Sequence, residues 1–151
     1  MMRQVISVGL ALSLLLLGCS LESGSGAGAG GGGGGEATFP AAPLMVVKSD
    51  HGALSFEVRT SPVQPPTRGL ITVEILATDA NDEPVDGLDL AVQPWMPQMG
   101  HGASTKPSID AKGEGRYVIS HVACFMPGRW ELRMSIAGAV KDSATVAFQI
   151  H

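Results

Sequence analysis

Short alternations of apolar and polar residues, separated by turn sequences, run along the chain from position 44 onward. In the two clearest, at 128–137 and 142–150, every second residue is largely apolar. Successive side chains of a β-strand point to opposite faces, so this period of two predicts strands with one buried face. No stretch has a sustained helical period, and we therefore expect an all-β domain.

Eight segments of this kind are predicted as strands, at 44–48, 53–60, 69–79, 88–93, 104–110, 115–122, 128–137 and 142–150. Turn residues such as Gly, Pro, Asn and Asp lie between most of them. Seven or eight short strands in a folded part at 39–151 are typical of an immunoglobulin-like antiparallel β-sandwich. The Cys–Trp–Cys pattern of antibody domains is absent, and Tyr117 is expected to fasten a corner through its hydroxyl.

Two expectations concern individual strands. Pro94 and Pro97 each lack an amide donor and fix φ, which disfavours a central strand at 94–97 and predicts an edge or a loop there. In the strand at 115–122, strict alternation places His121 on the same face as Ile119. We expect His121 to be a hydrogen-bonded residue of that strand rather than a metal ligand.

The first 18 residues have the pattern of an export signal. Arg3 supplies a positive charge, an apolar run follows at 5–17, and Leu-Leu-Gly-Cys ends the segment. The run is too short for a transmembrane helix, which needs about 20 apolar residues. The last four residues resemble a bacterial lipobox, in which cleavage precedes the cysteine and its sulfur is acylated. We expect a signal peptide at 1–18 and a lipid anchor at Cys19; the alternative is an ordinary secretion signal.

Residues 19–38 form a Gly-rich segment with six consecutive glycines. This composition is typical of a flexible tether, which as a random coil would span about 25 Å. The domain at 39–151 is thus expected to stay near a membrane, outside the cytoplasm. In a cell with two membranes, Ser20 after the anchor favours the outer membrane or the periplasm; otherwise the cell surface is expected.

Charge and cysteine content narrow the function classes. Loss of Arg3 with the signal leaves nine basic and fourteen acidic side chains, a net charge of −5. Because no basic cluster is present, nucleic acid is not an expected partner. Once Cys19 is acylated, Cys124 is the remaining thiol. Stability must therefore come from packing, and Cys124 is expected to be a small buried hydrophobic residue.

The segment PWMPQMGHG, at 94–102, carries the most distinctive chemistry. Thioether sulfur and imidazole nitrogen together suit soft metal ions, above all Cu(I), and offer little to Ca²⁺ or Mg²⁺. Met96, Met99 and His101 are therefore candidate copper ligands, and Met126, in a second Pro/Gly turn, is a candidate fourth. In the alternative interpretation, the methionines fill an irregular end of the sandwich, which leaves His101 unexplained.

Signs of catalysis are sparse. The sequence has no nucleophile elbow, HExxH, CxxC, P-loop or dinucleotide fingerprint. The carboxylates at 79–83 are typical of a solvated loop rather than of an acid–base pair. His51 and His151 are likewise expected to be solvated. We expect a protein that is not an enzyme.

Three motifs in fixed order, MPQMGHG at 96–102, GEGRY at 113–117 and FMPGRWELRMSI at 125–136, resemble the YtkA-like domains of bacterial exported proteins and, more distantly, the FixH-like proteins. The resemblance covers 70–150. It implies an immunoglobulin-like β-sandwich and a link to copper handling or to cytochrome oxidase assembly. The matching residues are Met96, Pro97, Met99, Gly100, His101 and Gly102 in the first motif and Met126, Gly128 and Trp130 in the last.

The sequence supports one leading hypothesis and one rival. The leading hypothesis is a membrane-anchored exported domain that holds copper, or passes it to a copper-accepting or respiratory protein partner. The rival is a structural or protein-interaction domain that binds no metal, for example an accessory subunit of a respiratory complex.

Overall fold

The computed structural model describes residues 36–151, which form nine β-strands. The predicted signal peptide at 1–18, the predicted anchor Cys19 and most of the Gly-rich segment at 19–38 lie outside the described residues. Among the described residues, no helix is long and apolar enough to cross a membrane. The strands are β1 Met45–Lys48, β2 Ser55–Ser61, β3 Gly69–Thr78, β4 Leu88–Met96, β5 His101–Gly102, β6 Ser108–Gly113, β7 Arg116–Cys124, β8 Gly128–Gly138 and β9 Asp142–Ile150.

The strands form two antiparallel sheets, ordered β1-β2-β3-β7-β6 and β5-β4-β8-β9. The run β2-β3-β7-β6 has the order of immunoglobulin strands A, B, E and D, and β4-β8-β9 has the order of C, F and G. The predicted immunoglobulin-like β-sandwich is therefore confirmed. The strand count is nine because β5 has only two residues, too few to produce an alternation in the sequence.

Alternate side chains of both sheets meet in one dry core. On β8 and β9 every second residue is buried, as the sequence pattern predicts. The facing sheet contributes Phe56, Ile75 and Ile119, each fully enclosed. Burial of one such side chain contributes about 1.5–3 kcal/mol relative to leaving it exposed. The core is the main source of stability, because the described residues contain a free cysteine and no disulfide.

The strand predicted at 88–93 ends too early, because the sheet edge expected at 94–97 still allows a strand there. β4 runs to Met96, and Pro94 lies in register with Leu132 of β8. The Pro94 carbonyl accepts a hydrogen bond from the Ala103 amide at 3.1 Å, so the backbone polar groups of Pro94 face the outer side of β4, away from β8. The missing donor therefore costs no bond to β8, which is how proline is tolerated at a sheet edge.

The predicted alternation also fails at His121. Ile71 pairs with Val122 and Val73 pairs with Ile119, so two residues of β7 oppose one residue of β3. His121 occupies this bulge with φ of 61°, a left-handed conformation that is uncommon outside glycine. Its exposed ring lies 3.2 Å, Nδ1 to Oγ, from Ser108, so the expected hydrogen bond is present.

The bulge shifts the phase of β7, which turns Val122 and Cys124 into the core. The strand predicted at 104–110 begins later, at Ser108, because residues 103–107 cross from one sheet to the other.

Tyr117 fastens the connection between β3 and β4, as predicted. Its hydroxyl accepts a hydrogen bond from the Leu88 amide at 3.0 Å and donates one to the Val85 carbonyl at 3.1 Å. The side chain is 1% exposed. Both backbone groups would lose a partner in a buried setting without this hydroxyl.

We expect Tyr117→Phe to lower the free energy of unfolding by about 1–3 kcal/mol, because the buried Leu88 amide and the partly buried Val85 carbonyl lose their partner. Chemical denaturation measures the loss. Thr145→Val, which removes an exposed hydroxyl from β9, is the control and should change stability by less than about 0.5 kcal/mol. Equal stability of both variants would contradict this role of Tyr117.

A buried carboxylate lies near the opposite end of the sandwich from β5. The Asp142 side chain is fully enclosed, and its Oδ1 lies 2.7 Å from Nδ1 of His51, whose own side chain is 80% exposed. The Ser49 hydroxyl donates a hydrogen bond to the Leu54 carbonyl at 3.2 Å. The nearby Ser49 hydroxyl and the hydrogen bonds from His51 hold the pKa of Asp142 well below its usual range despite desolvation. The same contact with Asp142 raises the pKa of His51 above 6.5.

This pair makes stability depend on pH. The contribution of His51 is complete below its unfolded pKa of 6.5 and is lost as the pH rises through the raised folded value. The contribution of Asp142 is present above 3.8 and is lost as the pH falls through its lowered pKa. We expect the unfolding free energy of wild type to exceed that of His51→Gln most between pH 3.8 and pH 6.5. This difference should shrink at higher pH. Urea unfolding across pH measures it, and a constant gap would refute the ion pair.

Candidate functional site at the methionine end

The strand register sorts the connections of the sandwich into two ends. Gly69 pairs with Cys124 and Gly128 pairs with Ile150, so the starts of β3 and β8 lie at one end. We call this the methionine end; it carries the connections 62–68, 97–100 and 125–127. The other end, which we call the acidic end, carries the connections 49–54, 79–87, 114–115 and 139–141.

A groove of about 280 Å³ opens near the methionine end. One wall is the segment that begins with His101 and includes Ser104, and the other is the β7–β8 turn with Phe125 and Met126. Trp130 of β8 also lines the groove, although it is only 2% exposed. The fold thus brings two of the predicted ligands, His101 of β5 and Met126 of the β7–β8 turn, to one groove.

One ring nitrogen of His101 makes a hydrogen bond to the backbone, and the other is available to a ligand. Nδ1 lies 3.1 Å from the carbonyl oxygen of Gly102. A carbonyl can only accept, so in the neutral ring this contact requires the proton on Nδ1 and leaves the lone pair on Nε2. In proteins, metal-binding histidines are oriented by such a hydrogen bond from the ring nitrogen that does not bind the metal. The exposed ring is therefore in a form that can bind a metal ion through Nε2.

A hydrogen bond to the backbone of Met126 holds this residue in place. The indole Nε1 of Trp130 donates a hydrogen bond to the Met126 carbonyl at 2.9 Å, which fixes the β7–β8 turn. The Met126 side chain is partly buried against the core and lines the groove. The indole therefore fixes the backbone from which the Met126 side chain reaches the groove.

The other two predicted ligands lie elsewhere. Met96 is 4% exposed and belongs to the core, with its Cε close to Gly128. Met99 is 59% exposed, in the tight turn that follows β4, where the Gly100 amide donates to the Met96 carbonyl at 3.0 Å. The structure brings His101 and Met126 into one groove, leaves Met99 exposed in the adjoining turn, and encloses Met96.

Two glycines of the matched motifs have steric roles at this end. A Cβ on Gly102 would lie 2.9 Å from the Pro94 carbonyl oxygen, so β5 can approach β4 only with glycine there. Gly128 has φ of 131°, and a Cβ there would lie 2.6 Å from Cε of Met96. The glycines therefore set the spacing of the segments that wall the groove.

Cys124 is enclosed in the core beside this end, as expected. Burial raises the pKa of its thiol to about 12. The thiolate is the metal-binding form of cysteine, so burial disfavours Cys124 as a ligand. Among residues 36–151, His, Cys, Asp and Glu form no group of three or more that could hold a metal ion. A soft-metal site built from these residues would therefore need thioether ligands.

Sequence reasoning missed Phe125, Ser104 and Trp130 as parts of the site. Phe125 is 62% exposed, which is unusual for a residue that ends an apolar strand. The motif FMPGRW did signal a tight turn here, but not that this turn would face the segment after β5. That proximity follows from the way residues 103–107 cross between the sheets.

The fold and the groove define a small immunoglobulin-like β-sandwich whose candidate binding site is built from connections near one end. A sequence profile described as YtkA-like matches residues 50–135, more than half of the chain. The protein belongs to the YtkA-like family. No curated protein and no solved structure matched the chain.

We expect the Cys124 thiol to react slowly with maleimide in the folded protein. With a pKa of about 12 instead of 9.0, its thiolate fraction at neutral pH falls about a thousandfold. Mass spectrometry of the Cys19→Ser variant follows this thiol alone, with and without denaturant. Similar rates in both conditions would show that Cys124 is accessible.

Proposed function

We propose that this protein is a membrane-anchored, extracytoplasmic lipoprotein of the YtkA-like family that binds Cu(I) at the methionine end and passes it to a protein partner. The observation that carries the proposal is that His101, in β5, and Met126, in the β7–β8 turn, line one groove.

The donor set of this groove suits Cu(I). A neutral imidazole nitrogen and thioether sulfurs are soft, uncharged ligands, which select a soft monovalent ion over hard divalent ones. Nε2 of His101 is free to bind, because Nδ1 is engaged by Gly102. Met99, exposed in the adjoining turn, is the third donor of the proposed set. Met96 fills the core beneath these residues, and we assign it to packing.

The exposure of these side chains favours delivery over long-term storage. His101 and Met99 are accessible from solvent, so an acceptor protein can approach the bound ion. Neutral ligands also leave no buried charge behind when the ion departs. The groove is not lined by a carboxylate that could act as an acid or a base, so the proposed role requires no catalysis.

Anchoring is the second part of the proposal. It rests on the lipobox-like segment Leu-Leu-Gly-Cys at 16–19, after the apolar run that begins at Val5. Acylation of Cys19 with more than one chain would hold the protein stably on a bilayer, because a single chain gives only reversible binding. The predicted outer-membrane, periplasmic or cell-surface location belongs to this part.

The rival function is a protein-interaction module that binds no metal. The exposed side chains of Met99 and Phe125 favour it, because both lie at the methionine end and several exposed apolar groups at one end of a domain mark a contact site. An accessory subunit of a respiratory complex would fit this role. Such a subunit would co-purify with its complex whether or not copper is present.

Titration with Cu(I) against a competing chelator tests the metal proposal. We expect the double variant His101→Ala, Met126→Ala to lose affinity by about tenfold or more, since each 1.4 kcal/mol of lost binding free energy is a factor of about ten. Met99→Ala should weaken binding less. Met96→Leu keeps the core volume and is the control, with affinity equal to wild type.

If wild type binds Cu(I) no more tightly than the double variant, the copper function is wrong and the interaction module remains. If Met96→Leu loses as much affinity as the double variant, the ligand set proposed from the groove is wrong.

A further inference from the structure

Exposed apolar side chains are concentrated at the methionine end. Among the described residues, the large hydrophobic side chains that are exposed are Val46, Val63, Leu70, Met99 and Phe125. Val63, Met99 and Phe125 lie in the three connections of this end, and Leu70 is the second residue of β3, which starts there. Leu70 pairs with Ala123, two residues before Phe125. Scattered exposed apolar residues are ordinary, but a cluster at one end marks a contact surface.

Charge is distributed unequally between the two ends. The connections 62–68, 97–100 and 125–127 contain Arg68 and no carboxylate. The connections of the acidic end carry six carboxylates, at Asp50, Asp79, Asp82, Glu83, Asp86 and Glu114. Bacterial membrane surfaces that contain anionic lipids repel negative charge. The methionine end can approach such a surface, whereas the acidic end is kept away from it.

The chain also enters the domain at the methionine end. The side-chain amide of Gln64, in the connection 62–68, donates a hydrogen bond to the Ala42 carbonyl at 3.0 Å. The Leu44 amide donates to the Val58 carbonyl at 2.7 Å, next to the start of β1. Cys19 and Ala42 are 23 positions apart in the sequence. A lipid on Cys19 would therefore be connected to the domain at the end whose connections are apolar and contain no carboxylate side chain.

We propose that the methionine end docks directly on the lipid bilayer, with Leu70, Met99 and Phe125 entering the headgroup region. The proposal rests on the anchoring of Cys19 proposed above. A tether raises the local concentration of the domain at the surface to the millimolar range, so that weak apolar contacts are enough for docking. The groove with His101 and Met126 then opens close to the membrane surface. The protein partner that accepts copper would accordingly be one whose acceptor site lies at that surface.

Quenching of tryptophan fluorescence by brominated lipid tests the docking. The chain has two tryptophans, Trp95 and Trp130, next to the end of β4 and near the start of β8, so both report on the methionine end. The protein purified from cells is reconstituted in phosphatidylcholine vesicles with bromine on the acyl chains. We expect strong quenching in wild type and loss of most of it in the double variant Leu70→Ser, Phe125→Ser.

Two further variants extend the test. The first controls for a general loss of apolar surface, and the second alters other exposed side chains of the methionine end. Val46→Ser removes an exposed side chain from β1, outside the connections of the methionine end, and should leave the quenching unchanged. The pair Val63→Ser, Met99→Ser should reduce it as the first pair does. All altered side chains are exposed, and unchanged thermal unfolding verifies the fold. Equal quenching in wild type and both double variants would overturn the proposal, as would absence of quenching on vesicles that carry the protein.

Flotation with the vesicles separates docking from anchoring. Every variant should float, because the acyl chains hold it. If the purified protein does not float, the proposed acylation is wrong, and docking is then measured after coupling the free Cys19 thiol to a maleimide lipid. Copper affinity of Leu70→Ser in solution should equal that of wild type, because Leu70 does not line the groove. Docking and metal binding can thus fail independently.

Discussion

The burial of alternate side chains between two sheets is the interaction on which this structure depends. The described residues contain no disulfide, so the inner faces must exclude water through packing alone. That requirement sets the phase of every strand. It explains why β7 tolerates the strained bulge at His121, which returns Val122 and Cys124 to the core after a change of phase. Segments without alternating apolar and polar residues cannot join the core, and they lie at the two ends of the sandwich.

The same constraint determines which of the four predicted ligands, Met96, Met99, His101 and Met126, are buried in the core and which are accessible. Met96 has the phase of Leu90 and Val92 on β4, so the core encloses its thioether. Met99 follows in a turn where no partner strand covers it, and His101 is placed by the pairing of β5 with β4. Met126 reaches the groove from the β7–β8 turn. Packing and the proposed metal binding therefore fall on different methionines.

The two ends of the sandwich differ in charge and in exposed apolar side chains, so the domain is asymmetric from one end to the other. Carboxylates gather at the acidic end, where Asp142 pairs with His51. The methionine end carries exposed apolar groups, the candidate metal groove and the entry of the chain from Cys19. A protein held by a lipid at that end would present its donor groups toward the membrane and its charge toward solvent. Anchor, groove and charge distribution are thus consistent with one orientation.

By itself the sequence determined the all-β class, the immunoglobulin-like sandwich, the family and six of the strands to within a few residues, because a period of two and turn residues are local signals. It also indicated the role of Tyr117 and the burial of Cys124. Only the tertiary structure decided that β4 continues through Pro94, since proline is tolerated where its missing donor faces a sheet edge. The grouping of His101 with Met126 was likewise decided in three dimensions, because it depends on how residues 103–107 cross between sheets, and no local pattern encodes that path.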